Sequence, residues 1–165
     1  MTLKYLSKEL YINSLVIIFI FLIDRISKIY VVNFNKEFID EYLFSSSFLN
    51  ITLVWNNGIA FGLLSIEENY FYNLITILII IIILILLFLV SKVEKLKKYS
   101  YLIIIGGGLG NLFDRIFYKA VPDFIDIHFS GFHWFIFNIA DIFITLGVIC
   151  LIYDEVFLEK KVDEK

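Results

Sequence analysis

Residues 71–90 read FYNLITILIIIIILILLFLV, a run without a single charged side chain. At 1.5 Å of rise per residue it makes a helix about 30 Å long, the thickness of a bilayer's hydrocarbon core. Isoleucine and leucine surround the helix instead of forming one stripe, so it has no polar face to offer water. Lipid is the solvent that fits it. The rest of the chain agrees: its 165 residues are 60% hydrophobic and 19% charged, with a mean hydropathy of +0.86. That composition excludes a soluble domain and leaves one integral-membrane unit over 1–165, with no room for a second.

Working outward, segments 11–32, 99–117 and 132–153 match 70–90 in spanning length. Unlike it, they carry polar residues and are expected to face one another. Lys4 and Lys8 imitate the basic head of a signal peptide. No small-residue cleavage site follows them, and Asp24-Arg25 interrupts the apolar run, so a retained first helix is expected. Lys4, Lys8, Lys92, Lys95, Lys97, Lys98, Lys160, Lys161 and Lys165 fall on one side of the spans, with only Lys36 and Lys119 on the other. By the positive-inside rule both termini are cytoplasmic. The fold expected is a membrane all-α bundle of four transmembrane helices, with a small antiparallel β-sheet on the outer surface.

Carboxylates in such helices need a reason, because each costs roughly 2.5–3.5 kcal/mol at the bilayer centre. Asp24, Asp114 and Asp141 all fall toward the outer ends of their spans in this topology. Asp24 and Lys28 are i,i+4 neighbours, Asn111 stands three and four residues before Asp114 and Arg115, and Asn138 stands three before Asp141. Asp141 would lie roughly 10–14 Å into the fourth span. Asp24 and Asp114 have basic neighbours able to pair with them. Asp141 has none in its own helix, so it finds a partner elsewhere or holds a proton, which suits acid–base chemistry.

The outer segment 33–69 contains a β-prone run from Phe48 to Trp55, followed by Asn56-Asn57-Gly58, a strong hairpin signal. The turn 56–62, NNGIAFG, is apolar after its first glycine and is expected to dip toward the helices. The stretch 33–47 carries no motif. A second outer segment, VPDFIDIHFSG, alternates from Asp123 to Phe129: Phe124, Asp126 and His128 on one face, Asp123, Ile125, Ile127 and Phe129 on the other. Pro122 at its head costs no ladder bond. On this parity Asp123 points inward with the isoleucines, while Asp126 and His128 face water. A slip of one residue would invert that conclusion.

Other features carry less. GGGLG at 106–110 sits inside a membrane helix, and its Gly106-xxx-Gly110 spacing is a helix-packing signature, not a nucleotide fingerprint. His128 and His133, five apart, do not form a metal-ligand set. Cys150 is the only cysteine and has no internal disulfide partner. Trp55 and Trp134 fit an interfacial aromatic belt. Two aspartates around a polar pocket point to an aspartic hydrolase: close carboxylates cannot both ionise readily, so one acts as base on a water and the other as acid. Such chemistry needs no cofactor and no metal. The competing reading, a proton- or ion-coupled transporter, would place its site near the midplane. A structural assembly protein would leave Asp141 unexplained.

Asp24-Arg-Ile-Ser27-Lys28, Asn56-Asn-Gly58-Ile-Ala60-Phe61-Gly62, Gly110-Asn111-Leu-Phe-Asp114-Arg115, Val121-Pro-Asp123-Phe124 and Phe137-Asn138-Ile-Ala140-Asp141 resemble, in this order, the signature boxes of the lipoprotein signal peptidase (signal peptidase II) family. The resemblance covers almost the whole chain. It implies a bacterial inner-membrane aspartic endopeptidase with four transmembrane helices and a small extracytoplasmic β-cradle. Such an enzyme removes the signal peptide of a diacylglyceryl-modified prolipoprotein, cleaving just before the lipidated cysteine. The implied partners are that substrate, membrane lipid and the inhibitor globomycin; no nucleic acid is implied, and the expected state is a monomer. Carried over by box, Asp123 and Asp141 are the catalytic pair, and Asn56, Asn111, Arg115 and Asn138 line the substrate pocket. Asp24, Lys28, Asp114 and Gly58 support the structure. Asp114 is the rival for the first catalytic carboxylate, ranked second because Arg115 and Lys28 can pair with it. Two positions depart from the family pattern: Ile59 where alanine is usual and Pro122 where valine is usual. Neither removes a chemical group, so activity is expected to survive both.

Overall fold

The computed structural model describes residues 3–39, 41–58 and 69–159. Among these, four α-helices, α1 (Leu3–Glu37), α2 (Asn69–Val90), α3 (Lys95–Phe117) and α4 (Ile139–Tyr153), carry one antiparallel sheet. Its strands are β1 (Phe44–Ser45), β2 (Leu49–Asn56), β3 (Val121–Phe129) and β4 (Phe132–Phe137), neighbours in that order. A π-helical turn, Asp154–Glu159, extends α4.

The distribution of side chains is that of a soluble protein turned inside out. Asp24, Lys28 and Asp114 are at most 1% exposed, while Phe19, Leu22, Ile26 and Tyr30 on α1 stand open to the surroundings. In water this arrangement would bury charge and expose oil; against lipid it does the reverse. Only Tyr72–Val90, among the described helices, is long and apolar enough to cross a membrane on length and composition alone, with a hydropathy of 3.4. Of the charged residues on α1 and α3, Asp24, Arg25, Lys28, Asp114 and Arg115 are turned into the bundle.

Helix α3 is central, and its glycines show why. Gly106, Gly107 and Gly108 follow one another at about 100° per residue, so each meets a different neighbour. A Cβ on Gly106 would lie 2.8 Å from Ile20 Cβ of α1, and one on Gly107 would lie 2.6 Å from the Ala140 carbonyl oxygen of α4. At Gly108 the nearest atoms belong to Ile83 of α2, 3.4 Å away. A Cβ on Gly110, one turn beyond Gly106, would lie 2.5 Å from Asp24 Oδ2. The expected packing pair Gly106 and Gly110 is therefore directed at α1. Leu102, Ile105 and Leu112 of α3 form the apolar core with Ile83 and Val90 of α2.

Two expectations are corrected. Residues Phe132–Phe137, expected to open the fourth span 132–153, form β4. Ser130 and Gly131, both at positive φ, fold the chain back so that Phe132 pairs with Phe129. Aromatic and β-branched residues then suit a strand, and the Asn138 cap delays the helix to Ile139. Asp141 accordingly lies in the first turn of α4, not 10–14 Å into a span. Next, the outer β region expected over 33–69 is shorter, because α1 runs on to Glu37. Among the described residues β2 pairs with β1 and β3, and the partner expected across Asn57-Gly58 would fall outside them. Beyond Gly58 the turn 56–62 lies outside the described residues.

Gly107→Ala is expected to cost about 1–3 kcal/mol, because the Ala140 backbone cannot yield to the new methyl. In a thermal unfolding series in detergent its midpoint should fall, while Gly108→Ala, facing only the flexible end of Ile83, should leave the midpoint in place.

Candidate active site

Strand β3 delivers Asp123. It pairs with Val54 of β2 in register, and its carboxylate is 3% exposed on the face shared with Ile125 and Ile127. Asp123 is buried as the alternation expects, but Ile127 and Phe129, placed inward with it, are exposed. The expectation for the opposite face does not hold either. Asp126 is also buried, accepting from Asn50 Nδ2 at 3.2 Å and lying 2.9 Å from His133 Nδ1. His128 stacks on His133 with ring centroids 5.0 Å apart, and its Nε2 is buried. Alternation sorts residues into faces, but it does not say that both faces are covered. Ser45 Oγ donates to Asn50 Oδ1 at 2.8 Å, so a polar row runs from β1 to β4 across the sheet. Its signal in the sequence is the cross-strand pairing, visible only once the strands are placed.

Helix α4 delivers Asp141. Asn138 caps it: its Oδ1 accepts from Asp141 N–H at 3.1 Å, and its own N–H donates to Asp141 Oδ2 at 3.1 Å. This reciprocal box starts the helix and fixes the Asp141 side chain. The Asn138 amide then donates from Nδ2 to Asp123 Oδ1 at 2.6 Å. One asparagine thus joins both carboxylates. Asn56 Nδ2 donates to Asp123 Oδ2 at 2.8 Å, with its Oδ1 accepting the Gly58 N–H at 2.8 Å. Asn111 Nδ2 donates to Asp141 Oδ1 at 2.8 Å. Burial pushes the Asp123 carboxyl up to about 6; the Asn56 hydrogen bond opposes the shift and the Asp141 charge adds to it.

Behind this pair lies a closed cluster of four charges. Lys28 Nζ meets Asp24 Oδ2 at 2.9 Å and Asp114 Oδ2 at 2.7 Å. Arg25 Nη2 meets Asp114 Oδ1 at 2.6 Å and Asp24 Oδ2 at 3.3 Å. The free oxygen of Asp24 accepts the Ala140 N–H at 3.0 Å, placing a carboxylate at the positive end of α4. Lys28 pairs with Asp114 as the sequence suggested, but Arg115 does not. It donates from Nη2 to the Gly58 carbonyl at 2.5 Å, and its guanidinium lies 5.1 Å from the centre of the Tyr72 ring. Arg25, whose role the sequence reading passed over, takes that place. Neighbours in sequence, Asp114 and Arg115 point to different sides of α3.

Asp123, Asp141, Asn56, Asn111 and Arg115 together line a cleft of about 470 Å³ whose remaining walls are apolar side chains, largely of α2 and α4. Asp114, the rival carboxylate, is not among its walls. A second cavity of about 480 Å³, beneath the sheet, reaches Asp141 from the side of Ile127, Trp134 and Phe137.

Fold and site together define a class: a helical membrane protein whose apolar cleft ends on two hydrogen-bonded carboxylates. The family described as Signal peptidase (SPase) II matches residues 16–157. The lipoprotein signal peptidase of Pelagibacter ubique (strain HTCC1062) is 48% identical over 159 residues, 96% of either chain. That of Rickettsia africae (strain ESF-5) is 38% identical over 97% of this chain and 82% of its own. A bacterial membrane enzyme solved by the in meso method at 2.3 Å is similar with a TM-score of 0.76 and 31% identity, over 93% of this chain and 91% of its own. A second, at 1.9 Å, gives 0.73 and 32%, over 88% and 93%. The chain belongs to the signal peptidase II family.

The raised Asp123 carboxyl has a signed consequence. A group whose folded pKa exceeds its unfolded value gives stability at low pH that is lost as pH rises through the folded value, here about 6. Asp123→Asn removes that loss. Asparagine also sets its NH₂ against one of the two amide donors, Asn56 or Asn138, at every pH. Relative to the parent, the variant's unfolding midpoint should therefore be lowest near pH 4 and rise toward pH 8.

Proposed function

We propose that the protein is an aspartic endopeptidase of the bacterial inner membrane that removes the signal peptide from diacylglyceryl-modified prolipoproteins. The observation that carries this reading is the pair Asp123 and Asp141, joined through Asn138 at the wall of an apolar cleft. One carboxylate takes a proton from a water, whose oxygen attacks the peptide carbonyl carbon before the lipidated cysteine. The other gives its proton to the carbonyl oxygen. Return of a proton to the amide nitrogen breaks the C–N bond, leaving a carboxyl on the signal peptide and a free amine on the cysteine. The two groups titrate as a pair. A carboxyl pushed up to about 6 holds a proton near neutrality more readily than a free one, which suits the acid role.

Binding follows from the same walls. Among the described residues Arg115 Nε and Nη1 have no hydrogen-bond partner, and the residue lines the cleft, so it can meet a substrate carbonyl. Asn56 and Asn111 hold the carboxylates and border the peptide. Asn138, expected to line the pocket, is 0% exposed and not among the cleft's walls, and it holds Asp123 and Asp141 from behind. No cofactor takes part. Apolar walls suit the lipid chains and the signal helix of the substrate, and globomycin would compete for the same cleft. We place all four helices across the membrane, with both termini cytoplasmic, the sheet outside, and Trp55 and Trp134 at the interface. The inward turn of Asp24, Arg25, Lys28, Asp114 and Arg115 removes the objection that charge raises to α1 and α3. The working unit is a monomer.

Asp123→Asn and Asp141→Asn should each lower cleavage of a diacylated precursor peptide at least about a hundredfold while the proteins still accumulate in the membrane. Mass analysis of the products, with and without globomycin, reads the result. Cleavage retained in Asp123→Asn and lost in a stably inserted Asp114→Asn would move the assignment to Asp114.

A further inference from the structure

Lys28 does more than balance charge. Its ammonium has three protons and no acceptor, and three acceptors surround it: Asp24 Oδ2 at 2.9 Å, Asp114 Oδ2 at 2.7 Å and Asn111 Oδ1 at 2.9 Å. The first two bonds account for neutralising the buried carboxylates. The third is not needed for that purpose. It lands on the one residue that links this charge cluster to Asp141.

An asparagine amide has nearly the same shape when turned by 180°, so its neighbours decide which end faces where. Turned over, Asn111 would set its NH₂ against the ammonium and its oxygen against the Asp141 carboxylate. Both contacts would be repulsive. As placed, Nδ2 donates to Asp141 Oδ1 at 2.8 Å. The site's other two asparagines are oriented differently. Asn56 and Asn138 have their oxygens held by backbone N–H groups, of Gly58 and Asp141, which almost any sequence supplies. Asn111 takes its direction from a side chain, that of Lys28, which is 1% exposed and borders a cavity other than the cleft.

We infer that Lys28 is a positioning residue for peptide cleavage, acting through Asn111 to keep a hydrogen-bond donor on Asp141. The inference rests on the reading of Asp141 as a reacting carboxylate. Loss of Lys28 lets the Asn111 amide turn and leaves Asp141 Oδ1 without its donor, so that the Asn138 N–H bond to Oδ2 alone holds the carboxylate. Lys28 itself does not line the cleft, so its loss should act on kcat more than on KM.

The test is a double-mutant cycle in which one change is Asn111→Leu and the other is Lys28→Met made together with Asp114→Asn, so that Asp24 and Arg25 stay balanced at every corner. Each change should lower kcat on a diacylated precursor peptide by ten- to a hundredfold, in order of magnitude; for Lys28→Met, at a residue that does not line the cleft, KM should stay within about a factor of two. The pair together should be no slower than Asn111→Leu alone. Losses that multiply, or a Lys28→Met enzyme with full kcat per folded molecule, would overturn the inference. A second measurement needs no variant. Solid-state NMR of the parent protein should show the Asn111 amide nitrogen next to the Asp141 carboxyl carbon and the Asn111 carbonyl carbon next to Lys28 Nζ; the reverse pattern overturns it. Cleavage by Asp141→Asn would instead sink the reading on which the inference stands.

Discussion

Four charges buried against one another hold this protein in shape. Asp24, Arg25 and Lys28 of α1 and Asp114 of α3 close a neutral cluster inside a bundle whose outer surface is apolar. Removing one partner from such a cluster leaves a bare charge out of reach of water, at a cost of about 3–5 kcal/mol. The cluster therefore fixes how α1 lies on α3, down to Gly110, whose missing side chain makes room for the Asp24 carboxylate. Through the bond from Ala140 to Asp24 it also fixes where α4 begins.

The site inherits its order from that cluster. The first turn of α4, held by Asp24 on one side and by Gly107 on the other, presents Asn138 and Asp141 to the incoming strand. Strand β3 brings Asp123, and the Asn138 amide spans the gap. A carboxylate from a sheet and one from a helix need a common reference to sit within hydrogen-bond reach of the same side chain. Asn138, at once helix cap and bridge, is that reference. A chain of bonds then runs without a break from Asp123 through Asn138, Asp141, Asn111 and Lys28 to the buried ions.

Much of this was legible in the sequence because the signals were local. The Asp24–Lys28 spacing, the lack of a cation near Asp141 in its own helix, and the alternation around Asp123 each rest on a few adjacent residues. Where reading failed, the deciding neighbour lay elsewhere in the chain. The run 132–137 is apolar enough to pass for the first turns of a span, since hydropathy does not separate a strand from a helix. Asp126 looked exposed because nothing in β3 announces Asn50 or His133. Arg115 looked like the partner of Asp114 because the two are adjacent, although adjacent residues on a helix point about 100° apart. The partner came from α1.

The central claim is that two carboxylates activate a water directly, without a covalent intermediate. A single turnover in oxygen-18 water, quenched and analysed by mass, tests it most directly. The new carboxyl end of the released signal peptide should carry one heavy oxygen, and the enzyme should never gain the mass of an acyl group. An acylated enzyme, or a product oxygen drawn from a protein carboxylate, would contradict the account.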